Sequence, residues 1–266
     1  MYLKHFAFTR FPFNDNLQPD ELFEYAAGAE ANTRLQHLLE LRGIGLLTGE
    51  AGSGKTTACR NLLANLHSGL YRVFYVSLST GHVMDMYKSI AWELGLSTVH
   101  NRANAYHVIR SEITRLCVEL KQRPLLVFDE AHHLRNDVIE DLRLLTLYDI
   151  EAENRLCLLL VGLSELRRRL SMAVHEPFNQ RIVVRYHLAG LDRDELPQYL
   201  DHRLRLAGCE LPLFEKPVVE ALFQATHGLP RKVNRLAHYA LTAAALDKAK
   251  SVTTEHLHAA LEELSP

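Results

Sequence analysis

The sequence predicts an α/β fold in which a parallel, five-stranded sheet is followed by a smaller helical bundle. Up to Leu188, five short apolar or β-branched runs alternate with stretches of helical pattern. Strands that alternate with helices of this length form parallel sheets covered by helices on both faces. After Leu188 the strand-like runs stop, and helical patterns fill the remaining sequence.

The five runs differ in a way that indicates their places in the sheet. Four are apolar nearly throughout, as expected for strands buried on both faces. The fifth alternates polar and apolar residues, so we expect it at an edge. The predicted strands are Gly43–Thr48, Arg72–Leu78, Pro124–Asp129, Leu156–Val161 and Ile182–Leu188. The predicted helices between them are Thr56–Leu66, Val83–Leu94, Asn104–Lys121, Asp137–Asp149 and Glu165–Leu170.

The helical bundle is predicted from caps as well as from periodicity. Asp192 and Glu195 have the spacing of a capping box, and Gly208 is a natural stop for the helix that they start. Further helices are predicted at Pro217–Thr226, Arg231–Lys248 and Thr254–Leu264.

The composition excludes several classes of protein. The chain has 266 residues and a net charge of −2, so any binding of nucleic acid must come from a local basic patch. Its four cysteines form no CxxC pair, which argues against a zinc site and for a reducing compartment. No apolar run approaches the roughly 20 residues that a membrane span requires, and the N-terminus lacks the apolar core of a signal peptide. We expect a soluble, cytoplasmic protein.

A glycine-rich segment directly follows the first predicted strand. Its pattern, G-x-x-x-x-G-K-[ST], is that of a phosphate-binding loop, whose backbone N–H groups surround an anion at a helix N-terminus. We expect Lys55 to contact the β- and γ-phosphates of ATP and Thr56 to ligate Mg²⁺. The flanking strand and helix disfavour the alternative, a glycine-rich turn with a chance lysine. The predicted nucleotide-binding residues here are Gly49, Glu50, Ala51, Gly52, Ser53, Gly54, Lys55, Thr56 and Thr57.

The third predicted strand ends in two carboxylates. We expect Asp129 to hold Mg²⁺ through its water shell, and Glu130 to orient and deprotonate the attacking water. Alone, an apolar run ending in Asp-Glu is a weak signal, but downstream of a phosphate-binding loop it is a strong one. The string D-E-A-H also occurs in helicases, yet no other helicase motif is evident and a second RecA-like domain has no room.

Six segments together resemble one family. They are MYLKHFAFTRFPF, LLTGEAGSGKTT, LLVFDEAHHL, LLLVGLSEL, NQRIVVRYHLAGL and HRLRLAG. They look very much like the ExeA/GspA group of AAA+ ATPases, over nearly the whole chain. The resemblance implies a P-loop fold with strand order 5-1-4-3-2 and a C-terminal helical lid. We therefore divide the chain into an N-terminal segment near the nucleotide site (1–30), an ATPase core (31–190) and a lid (191–266).

The resemblance also implies residues that respond to the nucleotide. AAA+ enzymes usually have a polar sensor after the fourth strand; Ser164 is available there, but Leu163 stands just before it. An arginine finger is expected before the fifth strand, where Arg181 fits, although a surface arginine before an edge strand would look the same. The motif G-L-P-R resembles a second sensor, so we expect Arg231 to reach the nucleotide unless it is only a first-turn arginine of a helix.

The resemblance implies a membrane span and a peptidoglycan-binding domain after the ATPase module in ExeA proteins, and we expect this chain to be a stand-alone module without them. Stand-alone modules are similar to the transposon ATPases TnsC, TniB, IstB and MuB. The resemblance implies assembly as rings or helical filaments on duplex DNA, with a DDE transposase and a TniQ- or TnsD-like target selector as partners. DNA-backbone contacts are expected from Thr80, His82, Asn101, Arg102 and Arg135, each of which can equally be a solvated surface residue.

Three functions therefore stay open. We favour an ATP-dependent, DNA-binding regulator of transposition. The second is a secretion-accessory ATPase that acts on protein partners. The third is a nucleotide-gated switch with little turnover, which Leu163 in the sensor strand keeps open.

Overall fold

A computed structural model describes residues 2–77, 82–97, 100–148 and 154–264 of the chain. The described strands are β1 (Ile44–Gly49), β2 (Tyr71–Val76), β3 (Arg123–Phe128), β4 (Cys157–Gly162) and β5 (Ile182–Leu188). They form a parallel sheet in the order β2-β3-β4-β1-β5. Since this is the order 5-1-4-3-2 listed from the other edge, the predicted fold class is confirmed.

Burial along each strand follows its place in the sheet. Every residue of the inner strands β1 and β4 is buried. The edge strand β5 alternates between buried and exposed residues, because successive side chains point to opposite faces of the sheet. The polar alternation of Ile182–Leu188 thus predicted an edge strand correctly. The other edge strand, β2, was expected to be buried on both faces, but only its Phe74 and Val76 are buried.

The parallel register brings the carboxyl ends of β1, β3 and β4 to one edge of the sheet. Thr48 lies opposite Gly162, and Phe128 lies opposite Leu160. Ligands of open parallel sheets bind at this edge. The three segments that carry the predicted phosphate loop, the paired carboxylates and the sensor therefore leave the sheet side by side.

The described helices confirm the predicted ones, with ends shifted by a few residues, and add three. Residues 78 and 149, where two predicted elements end, lie outside the described ranges. The helices are α1 (Tyr2–His5), α2 (Ala26–Leu41), α3 (Lys55–Ala64), α4 (Val83–Glu93), α5 (Arg102–Val118), α6 (Asn136–Leu145), α7 (Ser164–Leu170), α8 (Glu176–Asn179), α9 (Glu195–Leu206), α10 (Lys216–Thr226), α11 (Pro230–Leu246) and α12 (Thr254–Leu264).

The longest of the added helices, α2, packs against the sheet. The side chain of its Leu38 lies so close to Gly45 of β1 that a Cβ at Gly45 would come within 2.2 Å of it. Glycine at this strand position therefore permits the close approach of helix and sheet.

The chain divides into two compact units, which we describe separately. One consists of Glu30–Ala51 and Lys55–Leu188 and contains the sheet. The other consists of Met1–Ala29, Gly52–Gly54 and Ala189–Pro266. Nearly all of its residues come from the two ends of the sequence.

The N-terminal segment contributes to the core of this second unit. Tyr2, Phe8 and Phe13 are buried in one hydrophobic cluster with residues of α9 to α12. Arg203 of α9 is only 3% exposed and donates hydrogen bonds to the carbonyl oxygens of Pro12 and Asn14. Since buried backbone carbonyls need partners, the guanidinium group stabilises a segment that has little regular structure of its own.

Candidate nucleotide-binding site

The phosphate-loop motif joins the end of β1 to the start of α3. Lys55 is the first residue of α3 and is 7% exposed. Its ammonium group donates to the carbonyl oxygens of Gly49, at 3.0 Å, and Glu50, at 2.9 Å. The lysine side chain thus folds back along the loop that precedes it, where a phosphate-binding lysine is required.

The glycines in the middle of the motif have conformations that other residues rarely adopt. Gly52 has a φ of 81° and Gly54 a φ of 98°. A Cβ at Gly52 would also lie 2.5 Å from the Cβ of Arg231, whose backbone N–H donates to the Gly52 carbonyl at 3.2 Å. Arg231, the predicted second sensor, is therefore in contact with the glycine loop in the unit that contains both.

Ser53 and Tyr25 complete this part of the motif. The Tyr25 hydroxyl donates to the carbonyl oxygen of Ser53 at 3.2 Å. The Ser53 hydroxyl itself is fully buried and has no hydrogen-bond partner within the described ranges. A buried polar atom without a partner is uncommon and fits a loop whose donors are arranged for an anion.

The side chain of Asp129, at the end of β3, accepts hydrogen bonds from residues of α3 and β2. Asp129 directly follows β3 and is 6% exposed. Thr56 of α3 donates its hydroxyl to Asp129 Oδ2 at 3.0 Å, and the hydroxyl of Tyr75 on β2 donates to the same oxygen. Burial and this hydrogen bond to Asp129 raise the pKa of Tyr75, so its hydroxyl remains a donor. The two predicted Mg²⁺ ligands, Thr56 and Asp129, are therefore brought together.

Glu130 differs from its neighbour in both backbone and exposure. Its φ of 52° is left-handed, which is uncommon for a residue with a side chain and is a form of local strain found at functional sites. The side chain is 55% exposed, in contrast to that of Asp129. Because water reaches this carboxylate, its position suits the predicted role of general base.

The residues after β4 do not present a polar side chain to Glu130. The hydroxyl of Ser164 donates to Glu50 Oε1 at 2.5 Å instead. The backbone N–H of Leu163 donates to Nδ1 of His132, at 3.4 Å. His132 is 7% exposed, and burial, followed by the charge of His133, lowers its pKa. The segment after β4 therefore contacts His132, a residue that the sequence motifs did not single out.

The predicted arginine finger, Arg181, lies in the short turn between α8 and β5 and is half-buried. Arg185, within β5, donates to the side-chain oxygen of Asn179 at 2.7 Å and to the backbone carbonyl oxygen of the same residue. Arg185 therefore holds the end of α8, and the position of Arg181 at the start of an edge strand agrees with the one predicted.

The predicted DNA-contacting residues have different surroundings. Arg102 forms two hydrogen bonds, at 2.7 and 2.5 Å, to the buried carboxylate of Asp141. Asn101 accepts a hydrogen bond from a backbone N–H as the cap of α5. His82 and Arg135 are exposed at the starts of α4 and α6. Thr80 lies outside the described residues.

The chemistry of these groups fits a nucleotide with Mg²⁺. Mg²⁺ prefers oxygen ligands and retains several waters, which a threonine hydroxyl and one carboxylate allow. A triphosphate needs backbone N–H groups and a cation, which the glycine-rich loop and Lys55 offer. The residue types of the loop and the conformation of its backbone therefore both fit a phosphate-binding site.

Comparison with known proteins identifies the family of this chain. A family model described as the AAA domain matches residues 37–170. General secretion pathway protein A of Aeromonas hydrophila is 32% identical over 247 residues, which cover 92% of this chain and 45% of that protein.

The chain belongs to the ExeA/GspA-like group of AAA+ ATPases.

The resemblance to the ExeA/GspA group is thereby confirmed. This AAA+ ATPase spans less than half the length of the curated relative that it matches. None of the helices in the described ranges has both the length and the apolar character that crossing a membrane demands.

Solved structures share the fold at low identity. Cdc6p from Pyrobaculum aerophilum has a TM-score of 0.71 and 16% identity, covering 95% of this chain and 70% of that one. The Aeropyrum pernix ORC1 protein in complex with DNA has a TM-score of 0.69 and 19% identity, covering 96% and 69%. The RuvB branch migration motor of Thermotoga maritima has a TM-score of 0.55 and 18% identity, covering 96% and 74%. At these identities the likeness concerns the fold alone.

Three residues of the site escaped the sequence analysis: Tyr25, Tyr75 and His132. Tyr75 had a readable signal, because it lies near the end of β2 and the implied strand order places β2 beside β3. His132 was visible only as part of the string D-E-A-H. Tyr25 had no signal, since its contact with Ser53 joins positions far apart in the sequence.

Proposed function

We propose that this AAA+ ATPase hydrolyses ATP with Mg²⁺ at the site that contains Lys55, Thr56, Asp129 and Glu130. The observation that carries the proposal is the 3.0 Å hydrogen bond from the Thr56 hydroxyl to Asp129. It joins the last part of the phosphate-loop motif to the acidic end of β3. When bound, Mg²⁺ neutralises phosphate charge and orients the phosphate groups.

Each residue has a distinct part in this proposal. Thr56 and Asp129 would hold Mg²⁺, the latter through water. Lys55 and the backbone N–H groups from Gly49 to Thr57 would bind the phosphates. Glu130 would orient the attacking water and accept its proton, because its carboxylate is accessible and directly follows the Mg²⁺ ligand.

Two arginines would add positive charge at the γ-phosphate. Arg231 is supported by its contact with Gly52 of the phosphate loop. Arg181 would act in a neighbouring copy of the chain, as the family resemblance implies, so the active form would be a ring or helical filament. The division into an N-terminal segment (1–30), a core (31–190) and a lid (191–266) belongs to the same proposal.

The catalytic part is tested by the rate of phosphate release. General-base catalysis contributes about 10²- to 10⁴-fold, so Glu130→Gln should lose at least the lower figure while it still binds ATP. Glu93→Gln, at an exposed position on α4, is the control and should hydrolyse at the wild-type rate. A wild type no faster than Glu130→Gln would leave only the nucleotide-gated switch.

For the process that the ATPase serves, we propose regulation of DNA transposition on duplex DNA. The support is the motif resemblance to the transposon ATPases, together with the exposure of His82 and Arg135. Arg102 contributes less to this support, since its guanidinium group already pairs with Asp141. A DDE transposase and a TniQ- or TnsD-like protein would be the partners.

A second candidate is an accessory role in secretion that involves protein partners. It is favoured by the 32% identity to general secretion pathway protein A over 92% of this chain. The two candidates make opposite predictions about DNA.

DNA binding is measured with duplex DNA and a non-hydrolysable ATP analogue at about 50 mM salt, where contacts to phosphates are strongest. The transposition proposal expects rings or filaments on DNA. Arg135→Gln should weaken binding to all sequences and reduce the salt slope by about 1, whereas the exposed Arg235→Gln on α11 should not. Failure to bind DNA at that salt would reject transposition in favour of the secretion candidate.

A further inference from the structure

The end of β4 lacks the side chain that should report on the catalytic carboxylate. Leu163 occupies the position after Gly162, and the hydroxyl of Ser164 is hydrogen-bonded to Glu50. The backbone N–H of Leu163 donates to Nδ1 of His132 in the neighbouring segment.

His132 is packed tightly against this end of the strand. A Cβ at Gly162 would lie 3.1 Å from the backbone nitrogen of His132 and 3.5 Å from its Nδ1. Glycine thus lets the histidine approach β4. Because β4 is the inner neighbour of β3, this contact joins the sensor strand to the segment that follows the paired carboxylates.

The same nitrogen of His132 also faces Glu130. Glu130 Oε2 lies 3.4 Å from Nδ1. A ring nitrogen accepts a hydrogen bond when it is bare and donates one when it carries hydrogen. Nδ1 can therefore accept from the Leu163 N–H or donate to the Glu130 carboxylate, but it cannot do both at once.

The backbone of His132 is held in place by an arginine. Arg169 of α7 donates to the carbonyl oxygen of His132 at 2.9 Å and also to that of Leu134. Glu130, by contrast, has an exposed side chain that is free to change its direction. Between the two partners of Nδ1, the carboxylate is therefore the one that can move.

We propose that His132 is the positioning residue for Glu130 and supplies, from the segment after β3, the polar contact that Leu163 does not supply from β4. In one arrangement Nδ1 accepts from Leu163 and leaves the carboxylate to the attacking water. In the other, Nδ1 carries the proton and holds the carboxylate away from it. The inference deepens the proposed function and rests on it.

The test measures kcat and ATP affinity for His132→Ala, His132→Asn and His107→Ala. His132→Ala should lower kcat by about 10- to 100-fold, because a misplaced base is inefficient, with ATP affinity changed by less than about twofold. His132→Asn should recover most of this loss, since its amide can occupy the position of Nδ1. The control His107→Ala alters an exposed histidine on α5 and should behave like wild type.

Combination with Glu130→Gln separates positioning from a structural role. If His132 acts through Glu130, the double variant His132→Ala/Glu130→Gln should be no slower than Glu130→Gln alone. Multiplicative losses would overturn the inference, as would a His132→Ala enzyme with wild-type kcat. A wild type no faster than Glu130→Gln would instead overturn the proposed function.

A second readout needs no turnover. In nucleotide-free protein labelled with ¹⁵N, Nδ1 of His132 should have the resonance of a bare nitrogen and should correlate with the Leu163 amide. That amide resonance should move in His132→Ala and remain in place in His107→Ala. The proposed arrangement would be contradicted by a protonated Nδ1, or by a Leu163 amide resonance that does not shift in His132→Ala.

Discussion

At the scale of single residues, the orientation of the Asp129 carboxylate is fixed by two hydrogen bonds. Its Oδ2 accepts hydrogen bonds from Thr56 and Tyr75, which lie on elements before and beside its own strand. Sequence motifs predicted that Asp129 and Thr56 hold Mg²⁺, because these motifs are specific. They did not identify Tyr75, whose role depends on the lateral pairing of β2 with β3.

Tyr75→Phe tests this hydrogen bond. Loss of the hydroxyl leaves Asp129 less firmly oriented, and loss of such a supporting partner typically weakens a metal site by about 10-fold or more. We expect the Mg²⁺ concentration for half-maximal ATP binding to rise by roughly this factor. Tyr71→Phe is the matched control, because Tyr71 lies on the same strand and its hydroxyl contacts Arg123. Equal Mg²⁺ dependence of the two variants would contradict the role of Tyr75.

Gly52→Ala tests the close approach in the phosphate loop. Gly52 and Gly95 both have positive φ, but an added Cβ meets Arg231 only at Gly52. Gly95→Ala should therefore cost only the roughly 1–2 kcal/mol of a left-handed alanine and leave ATP binding intact. Gly52→Ala should lower thermal stability further and abolish ATP binding. If both variants bind ATP alike, the loop tolerates a side chain and our description of it is wrong.

At the scale of elements, the sequence predicted all five strands, and the alternation of Ile182–Leu188 predicted the edge place of β5. The edge place of β2 followed only from the strand order that the resemblance implied, because its apolar run resembles that of an inner strand. Helix α2 was missed although Ala31, Leu35 and Leu38 recur at helical spacing. The short helices α1 and α8 carry too few residues for any periodicity. The path of residues 6–18 could not be predicted either, since it depends on a distant arginine.

Arg203→Met tests how that path is stabilised. The variant keeps the buried volume but leaves the carbonyl oxygens of Pro12 and Asn14 without their donor. Unsatisfied buried groups cost about 1–3 kcal/mol each, so we expect a loss of several degrees in the melting temperature. Arg205→Met, on the exposed side of the same helix, should melt within about one degree of wild type, as surface changes usually do. Equal melting temperatures of the two variants would show that Arg203 does not stabilise the N-terminal segment.

At the scale of the whole molecule, two units share one short motif. Residues before and after Gly52–Gly54 belong to the unit with the sheet, whereas the three residues themselves belong to the other. Sequence motifs revealed the family and the identity of the phosphate loop, because phosphate chemistry permits few alternatives. They did not reveal this division, because it follows from contacts between positions that are remote in the chain.

Titration of the protein with a fluorescent ATP analogue in the presence of Mg²⁺ measures whether the loop before α3 binds the phosphates of ATP. Hydrogen bonds from a charged group contribute about 1.5–3 kcal/mol, so Lys55→Ala should bind roughly 10- to 100-fold more weakly than wild type. Lys88→Ala, at an exposed position on α4, should bind as wild type does. An unchanged affinity of Lys55→Ala for the ATP analogue would show that this loop does not bind the phosphates.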